Sequence, residues 1–275
     1  MPWYEASNGD RLWFREQGEG PALVLVHGWC MSSEIWRLQL ERLSGGFRVI
    51  TPDLRGHGNS PQGSCECGIE TFADDMDALF HHLDLHDAIL AGWSLGSLVA
   101  ITALPLLEER VKGLVLICGT PRFASGEDFS HGLAQVEVDG MALKVRRNLQ
   151  RALEGFVARM FVPGELADES RADEVRAILA AVPVPATETA LQSLASLAEA
   201  DVRKQLPTIG RPTLVISGEC DPVCPSPASS YMAARIQDCR HVVFAGCGHA
   251  PFLTRFEEVN ACLANFSREV RDTHD

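Results

Sequence analysis

Short apolar runs rich in β-branched residues alternate along this chain with stretches of helical periodicity. The apolar runs lie at 22–27, 47–51, 88–92, 113–118, 212–217 and 240–245. Helical periodicity marks residues near 33–44, 71–85, 95–108, 226–236 and 256–271. Runs that are apolar on both faces indicate fully buried strands, and their alternation with helices is typical of a parallel sheet covered on both sides. The sequence therefore predicts an α/β fold with a mostly parallel central sheet flanked by helices.

Two further strands are predicted at the start of the chain, at 2–7 and 11–16. They are joined by Asn8-Gly9, the dipeptide that best tolerates the positive φ angles of a tight hairpin turn. The sheet should therefore begin with an antiparallel pair.

The alternation of strand and helix stops between Thr120 and Leu206. This stretch has helical periodicity, as at 142–161, and no convincing strand. Open α/β folds bind their ligands at the carboxyl edge of the sheet, where an insertion before the late strands can cover the site. We therefore expect an α/β core made of residues 1–120 and 207–275, and an all-helical lid at 121–206.

Composition limits the partners and the compartment. The net charge of −13, from 37 acidic and 24 basic residues, would repel nucleic acid and an anionic membrane surface. Apolar runs such as 113–118 are far shorter than the roughly 20 residues that cross a bilayer. The N-terminus lacks the basic start and apolar stretch of a secretion signal, so we expect a cytoplasmic protein. The nine cysteines are odd in number and irregularly spaced, which favours reduced thiols over disulfides or a zinc site.

The pentapeptide Gly92-Trp93-Ser94-Leu95-Gly96 follows an apolar strand and leads into a helix. By itself it could be a glycine-rich turn that caps a helix. Its context, however, is that of a G-x-S-x-G nucleophile elbow, which presents a strained serine at a sharp strand-to-helix turn. Only hydrogen fits at the two flanking glycines, where the strand and helix backbones crowd each other. Ser94 is therefore the candidate nucleophile.

Two later loops bring an acid and a base to the same edge of the predicted sheet. Asp221 follows the penultimate strand, and His249 follows the last one. The chain order serine, aspartate, histidine is the one used by hydrolases with this elbow. The sequence predicts a triad of Ser94, Asp221 and His249, with Glu219 and Asp201 as the alternative acids.

A nucleophilic serine also needs donors for the oxyanion that forms on attack. One early strand ends in His27-Gly28-Trp29, which brings the backbone N–H of Trp29 towards the elbow. The N–H of Leu95 lies at the start of the following helix and adds the positive end of the helix dipole. We expect these two amides to form the oxyanion hole, and His27 to fix its loop by hydrogen bonding. This chemistry requires no metal or organic cofactor.

Over nearly its whole length the sequence resembles the α/β-hydrolases, with His27-Gly28, the 53–60 loop, the elbow, Asp221 and His249 as markers. Within that superfamily it resembles the pimeloyl-[acyl-carrier protein] methyl ester esterases of biotin synthesis. The closer match rests on 27-HGW-29, 92-GWSLGS-97, 248-GHAPF-252 and 178-ILAAVPVP-185. The resemblance implies a serine carboxylesterase whose substrate is the methyl ester of a dicarboxylate chain held by acyl-carrier protein.

A basic island interrupts this acidic chain between Lys144 and Arg159, where five cations accompany the single acid Glu154. Carrier proteins are acidic, so the resemblance implies carrier contacts at Arg147, Arg151 and Arg159. Arg147 and Arg151 are four residues apart, so we expect them to share one helix face. The alternative is a basic helix face that is merely solvated. The resemblance also implies substrate contacts at the side chains of Trp29, Trp93, Phe156 and Met160.

Other functions remain compatible with the same residues. Among enzymes they are a carbon–carbon bond hydrolase of aromatic ring-cleavage products and a general small-ester carboxylesterase. From a different class, the same fold with an intact triad can act as a small-molecule receptor with negligible turnover. A serine at the elbow disfavours dehalogenases and epoxide hydrolases, which use aspartate there. We expect a monomer.

Overall fold

The computed structural model describes residues 2–272. Its strands are β1 (Trp3–Glu5), β2 (Arg11–Gln17), β3 (Ala22–Val26), β4 (Arg48–Pro52), β5 (Ala88–Trp93), β6 (Val111–Ile117), β7 (Thr213–Gly218) and β8 (Cys239–Phe244). They form one sheet in the order β1-β2-β4-β3-β5-β6-β7-β8. β2 pairs antiparallel with β1 and β4, and every pair from β4 to β8 is parallel. The predicted α/β fold class and the opening antiparallel pair are confirmed.

Helices connect the strands and cover the sheet. They are α1 (Arg37–Leu43), α2 (Ile69–His82), α3 (Leu95–Ala103), α4 (Gln135–Arg147), α5 (Leu149–Arg159), α6 (Glu169–Ala181), α7 (Thr187–Glu199), α8 (Ser226–Ala233), α9 (Pro251–Thr254) and α10 (Phe256–Asp272). Short 3₁₀ turns lie at Ser33–Trp36 and Leu206–Thr208. Across residues 2–272, no helix combines the length and the apolar character needed to cross a membrane.

The inner strands β3 to β7 are buried on both faces, as their apolar runs predict. The same expectation for the run at 240–245 is wrong, because β8 is the edge strand and is only partly covered. Consecutive side chains of a strand point to opposite faces. In β3, Val24 and Val26 pack in the apolar cluster that contains buried residues of α2 and α3. Leu23 and Leu25 pack on the other side, with buried residues of α1 and α10. This packing holds the sheet in place. Because β5, β7 and β8 run parallel in it, their carboxyl ends lie at one edge of the sheet.

The stretch from 121 to 206, here called the insert, carries α4 to α7 between β6 and β7. It is not helical throughout, because isolated bridges such as Ala124 with Leu133 shape its first residues. The apparent helix at 142–161 is also broken. Asn148 is extended, with φ −165° and ψ 99°, and its side chain accepts a hydrogen bond from the Arg151 amide at the start of α5.

The expectation that Arg147 and Arg151 share one helix face is therefore wrong. Arg147 ends α4, and Arg151 lies in the first turn of α5. The cause is local, since asparagine is a preferred N-cap residue whose side chain satisfies an amide that the new helix leaves unpaired. The basic island of residues 144–159 is thus divided between α4 and α5.

Two buried histidines hold the loops that follow β3 and β4. His27 Nε2 accepts a hydrogen bond from the Leu54 amide, and its Nδ1 faces the Gly28 carbonyl at 2.8 Å. His57 Nδ1 lies 2.9 Å from the Arg55 carbonyl. Burial lowers the pKa of His27 to about 4 and that of His57 to about 3. The structural role expected for His27 is confirmed, and both rings are neutral near pH 7.

We expect the free energy of unfolding to fall as pH is lowered from 7 to 5. The folded-state pKa values of His27 and His57 lie below the ordinary value of 6.5, so protons bind the unfolded chain first and stabilise it. Each group contributes a slope of up to about 1.4 kcal/mol per pH unit. Denaturant unfolding at a series of pH values measures the slope.

The matched variants for this prediction are His27→Gln and His86→Gln. His27→Gln removes one titrating group and should flatten the slope, whereas His86 lies exposed at the surface and its replacement should keep most of it. An unchanged slope in His27→Gln would contradict the assignment.

Candidate active site

Ser94 lies at the junction between the last residue of β5 and the first residue of α3. Its backbone has φ 56° and ψ −119°, a conformation that a residue with a side chain rarely adopts. Such strain costs about 1–3 kcal/mol and persists only when the surrounding packing enforces it. The residue is 5% exposed. The predicted strand-to-helix turn is thus present, with the serine at its tip.

The two glycines of the pentapeptide are required by close backbone approaches. A Cβ on Gly92 would overlap the carbonyl oxygen of Gly96 across the turn. A Cβ on Gly96 would overlap the carbonyl oxygens of Val26 and His27 at the end of β3. The steric explanation drawn from the sequence is therefore correct, because only hydrogen fits at these two positions between the turn and the end of β3.

Asp221 and His249 meet at the carboxyl edge of the sheet. Asp221 follows β7 and His249 follows β8, and His249 Nδ1 lies 2.7 Å from Asp221 Oδ2. The other carboxylate oxygen, Oδ1, accepts hydrogen bonds from the amides of Val223 and Cys224 at 2.8 and 2.9 Å. These two amides fix the carboxylate, which in turn fixes the orientation and tautomer of the imidazole.

The opposite nitrogen of the imidazole, Nε2 of His249, is buried and makes no hydrogen bond within the described part of the chain. Beside it, the Trp93 ring packs against the imidazole with ring centroids 5.3 Å apart, and Trp93 Nε1 donates to the His249 carbonyl at 2.8 Å. The base therefore has one nitrogen committed to a carboxylate and one nitrogen free to accept a proton. That is the arrangement general-base catalysis needs.

The alternative acids lie elsewhere. Glu219 is exposed and accepts a hydrogen bond from the Gly246 amide at 3.0 Å. Asp201 is ion-paired with Arg203 at 2.6 Å. Neither contacts the imidazole, so Asp221 is the acid that the fold brings to His249.

Of the two amides expected to bind the oxyanion, one follows β3 and the other follows Ser94 directly. Trp29 follows β3, and Gly28 lies so close to the elbow that an added Cβ would stand 3.2 Å from the Ser94 Cβ. Leu95 is the first residue of α3. Among residues 2–272, neither the Trp29 nor the Leu95 amide donates a hydrogen bond to another group. Both are available as donors.

A pocket of about 240 Å³ opens beside this site, between α4 and α5 of the insert. Its apolar wall includes Trp29 and Phe156, whose rings meet edge-on with centroids 5.2 Å apart. The centroid of the Phe156 ring also lies 6.5 Å from the centroid of the His249 ring. The cations Lys144, Arg151 and Arg159 line the same pocket. The pocket thus combines an apolar wall near the base with a positively charged border.

The remaining predicted contacts occupy different positions. Trp93 and Met160 are buried in the apolar core on one side of the sheet, and neither lines this pocket. Arg147 is exposed at the end of α4. The Arg159 guanidinium is bound within the chain, to Glu137 at 2.8 Å and to the Pro222 carbonyl. Sequence reasoning missed Glu165, which contacts the loop of His249 and belongs to no recognisable motif.

One group of possible metal ligands lies within this site. The thiol of Cys118 and the ligand atoms of Asp221 and His249 lie within 4.8 Å of one another. Burial, followed by the negative charge of Asp221, raises the pKa of the Cys118 thiol well above its ordinary value. A metal ion prefers the thiolate. In this structure Asp221 Oδ2 and His249 Nδ1 are hydrogen-bonded to each other at 2.7 Å, which is the acid–base arrangement described above.

The chain is similar to known proteins over most of its length. A family model described as the alpha/beta hydrolase fold matches residues 21–256. A pimeloyl-[acyl-carrier protein] methyl ester esterase of Xanthomonas oryzae pv. oryzae is 32% identical over 253 residues, which cover 92% of this chain and 97% of that protein. One of Nitrosospira multiformis is 30% identical, covering 94% and 98%.

Solved structures with the same fold include two esterases. One, from Exiguobacterium antarcticum, has a TM-score of 0.88 and 26% identity, with 97% of this chain and 98% of that chain covered. The other, a thermophilic esterase from Thermogutta terrifontis, has a TM-score of 0.84 and 28% identity, with 98% of each chain covered. The likeness therefore extends over the core and the insert alike.

We expect Asp221→Asn to lower kcat for p-nitrophenyl acetate on the order of 10³–10⁴-fold, because an amide cannot hold the imidazole in the tautomer that accepts a proton from serine. The matched variant Glu219→Gln, two residues away on the same loop, should stay near the wild-type rate. Steady-state kinetics of the three proteins measure this, and the reverse pattern of rates would transfer the role to Glu219.

Proposed function

We propose that this chain, which belongs to the α/β-hydrolase family and is a carboxylic ester hydrolase, removes the methyl group from a pimeloyl ester bound to acyl-carrier protein. The reaction class is supported by the relatives and the structural neighbours together. The specific substrate is supported by the names of relatives that match along nearly their full length.

The observation that carries the mechanism is the hydrogen bond of 2.7 Å between His249 Nδ1 and Asp221 Oδ2, with Nε2 left free. Ser94 Oγ attacks the ester carbonyl while His249 Nε2 takes its proton. Asp221 stabilises the imidazolium that forms. The amides of Trp29 and Leu95 stabilise the negative charge on the tetrahedral intermediate.

The intermediate then collapses with loss of methanol, which receives the proton from His249, and leaves an acyl group on Ser94. A water molecule attacks this acyl-enzyme with His249 again as general base. The imidazolium returns the proton to Ser94 Oγ, and the carboxylic acid that is released loses its own proton to solvent. Each proton taken by the imidazole is returned within the same half-reaction, so no net charge accumulates in the buried site.

The pocket between α4 and α5 fits the rest of such a substrate. An acyl chain is apolar, and Trp29 and Phe156 offer it an apolar wall that leads towards His249. Lys144 and Arg151 at its border suit the anionic groups that connect the chain to its carrier. The insert thereby acts as a lid, under which the acyl chain passes to Ser94.

The outer surface of the insert supports docking of an acidic carrier. Lys144, Arg146, Arg147 and Arg151 have no ion-pair partner within residues 2–272, and all four are exposed. Most arginines elsewhere in the described chain are paired with carboxylates, as expected at a net charge of −13. Of the three arginines expected to contact the carrier, Arg159 is already bound within the chain, which leaves Arg147 and Arg151 as the better candidates.

A second candidate is a general small-ester carboxylesterase. It is favoured by the solved structures with this fold, which include esterases without a named carrier. Hydrolysis of the methyl ester on free acyl chains and on carrier-bound chains separates the two functions. A preference for the carrier-bound ester supports the first, and equal rates support the second.

We expect Ser94→Ala to lower the rate of ester hydrolysis by roughly 10³-fold or more, since only binding and the oxyanion amides remain. Ser230→Ala, which removes an exposed hydroxyl on α8, is the matched control and should keep the wild-type rate. Initial rates with p-nitrophenyl acetate, together with near-ultraviolet circular dichroism for folding, measure the outcome. A folded Ser94→Ala protein that keeps more than a tenth of the rate would refute the nucleophile.

We expect the double charge reversal Arg146→Glu/Arg147→Glu to raise KM for the carrier-bound methyl ester by roughly tenfold or more. Clustered exposed charges each contribute up to about 1 kcal/mol and also steer association. Neither residue lines the pocket, so hydrolysis of a small free ester should be unchanged.

The control for this prediction is Lys204→Glu/Arg268→Glu, which changes the net charge equally at exposed positions outside the insert's basic island. It should leave the KM for the carrier-bound ester within about twofold of wild type, because screening limits charge effects to about 8–10 Å at moderate salt. Equal effects of the two double variants would mean that overall charge, and not the basic island, governs carrier binding.

A further inference from the structure

Residues 159–165 comprise the last residue of α5 and the first part of the segment that leads to α6, and they lie directly against the loops that carry Asp221 and His249. This segment, here called the strap, belongs to the insert and not to the sheet. It makes hydrogen bonds to backbone groups at or next to Asp221 and His249.

The strap binds two consecutive amides of the histidine loop. The amide of His249 donates to the Met160 carbonyl at 2.7 Å, and the amide of Gly248 donates to Glu165 Oε2 at 3.0 Å. The His249 carbonyl is held from the other side by Trp93 Nε1. Both polar backbone groups of His249 are therefore fixed, one by the insert and one by the elbow.

Glu165 is itself held in place by other donors. Its Oε2 also accepts from the Val162 amide at 3.0 Å, and its Oε1 accepts from the hydroxyl of Thr254 in α9 at 2.7 Å. One carboxylate thus joins the strap, the histidine loop and the following helix. Bonds to an ionised acceptor are among the stronger hydrogen bonds in proteins.

The absence of a side chain at Gly248 is a separate sign that the approach is close. A Cβ at this position would overlap the Met160 carbonyl oxygen and stand 3.1 Å from Glu165 Oε2. Its φ is not positive, so the backbone conformation alone does not require glycine here. What requires it is the strap lying against the loop.

The strap also reaches the loop of the acid. The Arg159 guanidinium donates from Nε and Nη2 to the carbonyl of Pro222, at 3.1 and 2.7 Å, and pairs with Glu137 on α4. Pro222 is the residue after Asp221. One end of the strap therefore contacts the acid loop, and the other end contacts the base loop.

We propose that Glu165 is a positioning residue that acts through Gly248 to set the His249 imidazole relative to Ser94 and Asp221. This inference rests on the proposed function, in which His249 is the general base. Catalysis by a positioned base is sensitive to small displacements, and a shift of about 1 Å can cost on the order of 100-fold in rate. The insert thus helps to build the active site as well as to cover it.

Two substitutions of Glu165 separate its hydrogen bonds from its charge. Glu165→Ala removes all three acceptor contacts. In Glu165→Gln the single amide oxygen can accept from both Val162 and Gly248, and the amide NH₂ can donate to the Thr254 hydroxyl. The matched control is Glu169→Ala, four residues along the chain, whose side chain is 89% exposed and, among residues 2–272, is ion-paired with Arg176 alone.

The experiment measures kcat and KM for p-nitrophenyl acetate in wild type and the three variants. We expect Glu165→Ala to lower kcat about tenfold or more with KM within about twofold. Glu165→Gln should stay within about threefold of the wild-type kcat, and Glu169→Ala should match wild type. A kcat within twofold of wild type in Glu165→Ala, a loss confined to KM, or an equal loss in Glu165→Gln would each overturn the proposal.

Thr254→Val tests the same contact should Glu165→Ala fail to fold. It removes one donor to Glu165 and keeps the shape of the side chain, so kcat should fall several-fold with KM unchanged, and an unchanged kcat would overturn the proposal. Wild type and Ser94→Ala measured alongside keep the two hypotheses apart. An inactive wild type or an active Ser94→Ala would refute the proposed function, whereas the Glu165 variants are judged only against an active wild type.

Discussion

The strained backbone at Ser94 is the constraint on which the rest of the site depends. A φ of 56° is unfavourable for serine. It is imposed by the sharp turn from β5 into α3, where the two backbones come so close that only glycine fits at positions 92 and 96. Gly96 in turn lies against the carbonyl at the end of β3. β5 lies between the buried strands β3 and β6, which keep the backbone at Ser94 from relaxing to a less strained conformation. The packing of the sheet therefore offsets the free-energy cost of the strained turn.

The same sheet brings separate loops together. Because β5, β7 and β8 run parallel, their carboxyl ends lie at one edge, and the loops after them carry Ser94, Asp221 and His249. The core positions the strand ends, but loops move more than strands do. Hydrogen bonds from outside the sheet limit that movement. The amides of Val223 and Cys224 hold the acid, while Trp93 and the strap hold the backbone of the base.

Positive charge is concentrated locally in this protein, at the basic island of residues 144–159 within the insert. The chain is strongly acidic, yet the last turn of α4 and the first turn of α5 carry cations without carboxylate partners among residues 2–272. Long-range attraction to an anionic partner would therefore be directed to the insert, next to the pocket beside Trp29 and Phe156. Arg159 is different, since it lies in the same basic island but is bound to the chain itself.

The sequence by itself determined the features that depend on local chemistry and chain order. Alternating apolar runs determined the sheet, glycine spacing determined the turn at Ser94, and the positions after two strands marked Asp221 and His249 as partners. Only the tertiary structure decided that Asp221 and not Glu219 meets the imidazole, and that Asn148 ends one helix and caps another. It alone placed Glu165 against the histidine loop, because that contact joins residues 83 positions apart and leaves no periodic trace in the chain. Contacts of this kind are set by how the insert packs on the core, which no local pattern encodes.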